Sequence, residues 1–202
     1  MNRFFNANSP FWQKFSYAFD VFVLSITWVI VSSLLLTTGL ASTGLYYAVN
    51  NYLLEGKVNP LEGFAKSVKQ NWKIAIVTSL ILIMILLLVV WSMWISYQEM
   101  VAGVLMGRVV FFFGLVIMVF LIGYIAYVFP TLASYHYDVK GLLSVSFKLS
   151  VMHLPFTLLF ALLYIFTGLF AYYFWISLFF MPTVVAIIQS KILKKIFASH
   201  TN

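Results

Sequence analysis

Ile74-Ala75-Ile76-Val77-Thr78-Ser79-Leu80-Ile81-Leu82-Ile83-Met84-Ile85-Leu86-Leu87-Leu88-Val89-Val90-Trp91-Ser92-Met93-Trp94-Ile95 holds no Lys, Arg, Asp or Glu. As a helix it is long enough to cross the roughly 30 Å hydrocarbon core of a bilayer. In lipid every backbone amide and carbonyl needs an internal partner, so a run of this kind must be helical. Val21–Thr38, Val109–Phe129, Phe156–Phe170 and Trp175–Ile188 are equally free of charge and near or above the spanning length. The fold class expected is therefore all-α, a polytopic membrane helix bundle of about five transmembrane helices. Residues 1–202 read as a single membrane-embedded domain, with an interfacial segment at 1–20, an amphipathic helix at 59–73 and a basic tail at 189–202.

Composition points the same way: the chain is 63% hydrophobic and 8% charged, whereas about a quarter of a soluble domain is charged. Ion-coupled pumps and proton relays keep ionisable groups at membrane depth, and the bare interiors of these spans argue against a self-sufficient active transporter. With no cysteine in the chain, disulfides, thiolate nucleophiles and Cys-based metal sites are excluded. The net charge of +7 lies in short segments beside apolar spans, where membrane lipid headgroups are the nearer partner. No nucleic-acid recognition module is present, and no nucleic-acid partner is expected.

Alternation of five spans places Arg3, Lys14 and Arg108 on one side and Lys57, Lys66, Lys69, Lys73, Lys140, Lys148, Lys191, Lys194 and Lys195 on the other. The basic excess predicts the second side to be cytoplasmic, with the N-terminus outside and the C-terminus inside. Phe156 to Ile188 is interrupted only by the uncharged aromatic turn Tyr172 to Trp175, so two spans or one kinked element are both open. Gly39-Leu40-Ala41 resembles a signal-peptide cleavage site, but the preceding segment is long and opens on aromatics, so the first span is expected to be retained.

Asn8-Ser9-Pro10 is a helix-start pattern, followed by an aromatic stripe of Phe11, Phe15 and Phe19 with Trp12 alongside, suited to the headgroup layer. Asn59-Pro60-Leu61-Glu62 has the layout of a capping box. Downstream, Leu61, Phe64, Ala65, Val68 and Trp72 share one face while Glu62, Lys66, Lys69, Gln70 and Lys73 share the other, which predicts an amphipathic surface helix. Between the first span and that helix, Thr37 to Tyr47 is dense in small and hydroxyl residues, which favour close backbone approach in lipid. Leu40-Ala41-Ser42 recurs as Leu132-Ala133-Ser134, and Ser67-Val68-Lys69 is echoed by Ser146-Phe147-Lys148, a spacing compatible with two parallel helix-loop-helix units.

Catalytic patterns are sparse. His136, His153 and His200 have no helical metal-site spacing, and only His136 to Asp138, between tyrosines, resembles a ligand cluster. No metal or cofactor is expected, and the chain does not read as an enzyme. The aromatics from Tyr164 to Trp175 suit an interfacial belt.

Asn8-Ser9-Pro10, Leu24-Ser25-Ile26-Thr27-Trp28, Thr38-Gly39-Leu40-Ala41-Ser42-Thr43 with Leu45-Tyr46-Tyr47, Lys69-Gln70-Asn71-Trp72 and Phe129-Pro130 together resemble the YesL family of small bacterial membrane proteins. Members usually show Asn where Ser25 stands and a second Thr-Ala pair where Gly44 interrupts. The resemblance implies association with carbohydrate ABC importers. On it rests the expectation of an accessory or regulatory subunit in the bacterial cell membrane, packing against ABC permease subunits. Its partner-binding residues would be Gly39, Ser42, Thr43, Tyr46, Phe64, Lys69, Gln70, Asn71 and Trp72. The alternative is a stand-alone facilitator or binding protein for a neutral solute or lipid.

Overall fold

The computed structural model describes residues 10–54 and 59–198, and these form helices and turns with no strand. The helices are α1 (Pro10–Val31), α2 (Thr38–Ala48), α3 (Pro60–Val101), α4 (Leu105–Ser134), α5 (Val139–Met152), α6 (Leu154–Tyr173) and α7 (Met181–Ala198). Leu35–Thr37 and Trp175–Phe179 are 3-10 turns, and Val49–Leu53 is a π-turn that continues α2. Three helices, α3, α4 and α6, are long and apolar enough to cross a membrane, and Phe15–Val31 of α1 is a shorter apolar stretch.

The expected span Trp175–Ile188 is divided. Its first part is the 3-10 turn and its second opens α7, which carries Gln189, Lys191, Lys194 and Lys195. Residues read as a basic tail continue this helix to Ala198, and Gln189, Ser190, Leu193 and Ile196 are buried. Toward the other terminus, in α1, Phe15 and Phe19 are exposed. Asn8 and Ser9 lie outside the described residues.

α3 runs for 42 residues, about 63 Å, and joins the expected surface helix to the second span without a break. Asn59 caps it, its side chain accepting from the Leu61 amide at 3.3 Å, with Pro60 in the first turn. The inward stripe of its first half is Gly63, Phe64, Ser67, Asn71, Ala75 and Thr78, whereas Leu61 and Trp72, expected on that face, are 45% and 50% exposed. The difference has a packing cause. α2 lies along α3, and close approach of two helices in an apolar setting selects small and hydroxyl residues over large ones. The turn from α3 to α4 uses Gly103 at φ +84°, a left-handed conformation that glycine takes without strain.

α1 and α2 form a hairpin. Trp28 Nε1 donates to Ser42 Oγ at 3.2 Å, and farther from the tip Tyr52 OH donates to Asp20 Oδ2 at 2.9 Å. The ends of α2, α4 and α7 converge, where Tyr47, Asn50, Pro130, Tyr135, Lys194 and Phe197 line one recess. Residues 38–53, which lie between the first expected span and the expected surface helix, are thus a helical return leg. In consequence the early part of α1 and the end of α7 lie at the same end of the bundle. That end also gathers Lys66, Lys69 and Lys73 of α3 and Lys140 of α5, while Gly103 and Arg108 mark the opposite end.

α4 is central. Leu121, Val128 and Leu132 pack with Ala75 and Leu82 of α3 and Leu142 of α5. Ala126 and Tyr127 pack with Leu149, Phe160, Leu193 and Ile196 of α5, α6 and α7. A separate cluster joins Leu24, Ala41, Leu45, Phe64 and Ala186.

Candidate functional site

The residues expected to meet a partner divide into two groups, with Ser42 half-buried between them. Gly39, Thr43, Tyr46, Phe64 and Asn71 are buried inside the chain's own bundle. A methyl group on Gly39 would overlap Ser79 Oγ and the Phe129 ring, so α2, α3 and α4 meet there at glycine-only spacing. Thr43 Oγ1 donates back to the Gly39 carbonyl at 2.8 Å, while Ser67 Oγ donates to the Thr43 carbonyl and Asn71 Nδ2 to Ser67 Oγ, each at 3.4 Å. Phe64 packs against Gly44, where a Cβ would stand 3.0 Å from its ring. Gly44 admits this ring, and Ser25 Oγ donates to Thr183 Oγ1 at 2.8 Å across to α7.

Lys69, Gln70 and Trp72 are exposed on the outer side of α3, with Lys73 Nζ 5.4 Å from the Trp72 ring centroid. Trp72 therefore belongs with the lysines and not with Phe64.

A buried polar cluster forms where α2, α4, α6 and α7 meet. Pro130 has no N–H, so the carbonyl of Ala126, four residues earlier, lacks its helical donor. Gln189 Nε2 donates to that carbonyl. Gln189 Oε1 accepts from Tyr164 OH at 2.9 Å and from Tyr46 OH, and the two hydroxyl oxygens lie 3.1 Å apart. Gln189 is fully buried, and burying an amide at this depth is favourable only when its polar atoms are paired. Sequence reasoning chose Tyr46 and missed Gln189 and Tyr164. The available signal was a lone amide at the end of an apolar run together with a proline inside another.

Beside this cluster lies a groove of about 360 Å³, walled by Trp28, Ser42, Tyr46, Phe129, Tyr164 and Gly168 among others, with no Asp, Glu, Lys, Arg or His among the described residues that line it. Its walls come from α1, α2, α4, α6 and α7, with hydroxyls among apolar surface. Such a lining accepts a neutral, largely apolar group.

His136 and Asp138 do not form a site with a third ligand: among the described residues, no three His, Asp or Glu side chains converge. Asp138 instead caps α5, accepting from the Gly141 amide at 3.3 Å. The two Leu-Ala-Ser triplets are also used differently. Ser42 accepts from Trp28, whereas Ser134 donates back to the Pro130 carbonyl at 2.9 Å.

Comparison of the chain with family models, curated proteins and solved structures gives no match.

Proposed function

We propose that this chain is an accessory or regulatory membrane subunit that packs against the permease helices of a carbohydrate ABC importer. The observation that supports it is the uncovered α3–α4 hairpin. The start of α2 lies against Ser79, Leu82 and Leu86, and α3 continues from there to Val101, about 22 Å farther. Along that extension Leu87, Leu88, Trp91 and Trp94 of α3, with Phe112, Phe113 and Val116 of α4, are exposed. Large exposed apolar surface faces lipid or another membrane helix. The resemblance of residues 8–73 supplies the partner class, and the absence of ionisable groups in the apolar spans suits a subunit that borrows its partner's energy source.

In this reading α3, α4 and α6 cross the bacterial cell membrane, and α1 and α7 complete the five expected crossings, with α2 as an additional return leg. The lysine-rich end faces the cytoplasm by the basic-residue rule, which places the early part of α1 there together with the end of α7. Of the nine expected contact residues, the accessible Lys69, Gln70 and Trp72 remain available to a partner, and the buried ones act by holding α2 against α3.

The test is mild-detergent purification of tagged protein from its native host with mass spectrometry of co-purifying chains. Permease subunits recovered with the intact chain and lost when Lys69, Gln70 and Trp72 are replaced together support the reading. Recovery of the chain alone, in lipid nanodiscs as in detergent, would sink it. The groove beside Tyr46 favours the second reading, a binder or facilitator for a neutral solute or lipid, for which flux of neutral solutes through the chain in liposomes is the deciding measurement.

A further inference from the structure

The lysines of α7 divide between two faces. Lys194 lines the recess that Tyr47 and Ser134 share between the ends of α2 and α4. Lys191 and Lys195 are exposed elsewhere on α7, where with Ile192 and Ile196 they form one wall of a groove of about 390 Å³. The other wall is His153 and Phe156, at the start of α6. Residues four apart on a helix have Cβ atoms about 5–6 Å from each other, so the two ammonium groups can close on a single anionic group.

The charge of this groove has one sign. No Asp or Glu is among the described residues that line it, and neither α6 nor α7 contains one. Asp138 stands at the far end of α5, where it caps the helix at Gly141. The depth of the groove is set by α6, a helix of membrane-spanning length that begins at Leu154. Its first turn marks the level at which hydrocarbon gives way to headgroups. Lysine suits that level, because its stem lies along apolar surface while the ammonium stays among polar groups. The groove thus joins two cations to the apolar walls Phe156, Ile192 and Ile196 at the height where a phospholipid changes from charged to apolar. Basic pockets between membrane helices on the cytoplasmic side recognise anionic headgroups in this way.

We propose that this groove holds one anionic phospholipid of the leaflet on the lysine-rich side, its phosphate between Lys191 and Lys195 and the upper part of an acyl chain against Phe156 and Ile192. A choline headgroup would bring a third cation to the same place, so phosphatidylcholine is disfavoured. The site is independent of the permease contact, since neither Lys69 nor Trp72 lines it.

The experiment offers the full chain, in neutral detergent, equal amounts of phosphatidylglycerol and phosphatidylcholine with the same acyl chains, and counts the lipid retained on each molecule by native mass spectrometry. Phosphatidylglycerol should predominate on the wild type. Lys191→Gln with Lys195→Gln should lower the bound ratio of the two lipids by about tenfold or more. Lys69→Gln with Lys73→Gln removes two exposed lysines of the same spacing from α3 at the same end of the bundle, where they line no groove with α6, and should leave the ratio unchanged. An equal fall in both double variants would mean diffuse attraction to a basic surface and overturns the proposal, as does a wild-type ratio near one. Glycerol phosphate, a headgroup without chains, is then added in excess. The lipid should stay bound, and its displacement would overturn the lipid assignment in favour of a soluble phosphate.

Discussion

Gln189 Nε2 donates to the carbonyl of Ala126, which is the carbonyl that Pro130 leaves without a helical donor. A break in the hydrogen-bond ladder of one helix is thus closed by the side chain of another, whose remaining oxygen binds Tyr46 and Tyr164. Four helices are fixed at one point by this arrangement.

Gln189→Leu is expected to destabilise the bundle by about 1–3 kcal/mol, because it leaves the Ala126 carbonyl and two tyrosine hydroxyls to find new partners. Thermal or denaturant unfolding in detergent measures this. Pro130→Ala restores an N–H opposite Ala126, so the cost of Gln189→Leu should be smaller in that background. Strict additivity across this double-mutant cycle would show that the two residues are not coupled.

Glycine substitutions should separate sharply by position. In Gly123→Ala the new methyl meets the Thr157 backbone carbonyl, and in Gly39→Ala it meets Ser79 and Phe129. Each should lower stability by about 1–3 kcal/mol through overpacking. Gly168 has nothing within 4 Å of the corresponding position, and Gly168→Ala should be neutral or stabilising by up to about 1 kcal/mol. Equal effects at all three positions would contradict the packing described.

Interior and surface residues of the first half of α3 should behave oppositely. Phe64→Ala is expected to cost about 3–5 kcal/mol, whereas Lys69→Ala, Gln70→Ala and Trp72→Ala should each stay within about 0.5 kcal/mol of the parent. If Trp72→Ala proved as damaging as Phe64→Ala in isolated protein, the face assignment of α3 would be wrong.

The hydrogen bond from Tyr52 to Asp20 holds the Tyr52 phenol above its ordinary value, the bond to the carboxylate being the main cause and burial a lesser one. A raised pKa means that the stabilisation is fully present below the unfolded value, about 10, and is lost as pH rises through the folded one. The difference in unfolding midpoint between wild type and Tyr52→Phe should therefore be constant from neutral pH to about 9 and shrink above about 10. A difference that grew with alkaline pH would remove the proposed bond.

Asp138→Ala should cost about 1 kcal/mol through loss of the α5 cap, with Asp138→Asn close to neutral because asparagine caps equally well. His136→Ala should leave stability unchanged, and hydrogen exchange at the first turn of α5 would report the difference directly.

The helical class and the three long apolar helices α3, α4 and α6 were legible in the sequence because they depend on local physics. Uncharged runs such as Ile74–Ile95 cannot sit in lipid except as helices, and Asn59-Pro60 starts α3 through contacts within a single turn. The exposed aromatics from Tyr172 to Trp175 at the turn after α6 follow from the same local rule. Everything that depended on which face of a helix turns inward was decided by tertiary structure. Helices that are apolar all round carry no periodicity to reveal a face. Gln189 meets Ala126 and Tyr46 across 63 and 143 positions of chain, and Trp72 turned outward because α2 occupied the face on which the apolar pattern had placed it. The return leg at residues 38–53 was legible only in part for the same reason: its glycines and hydroxyls announce close helix approach, but which helices approach, α3 and α4, depends on neighbours far away in the chain.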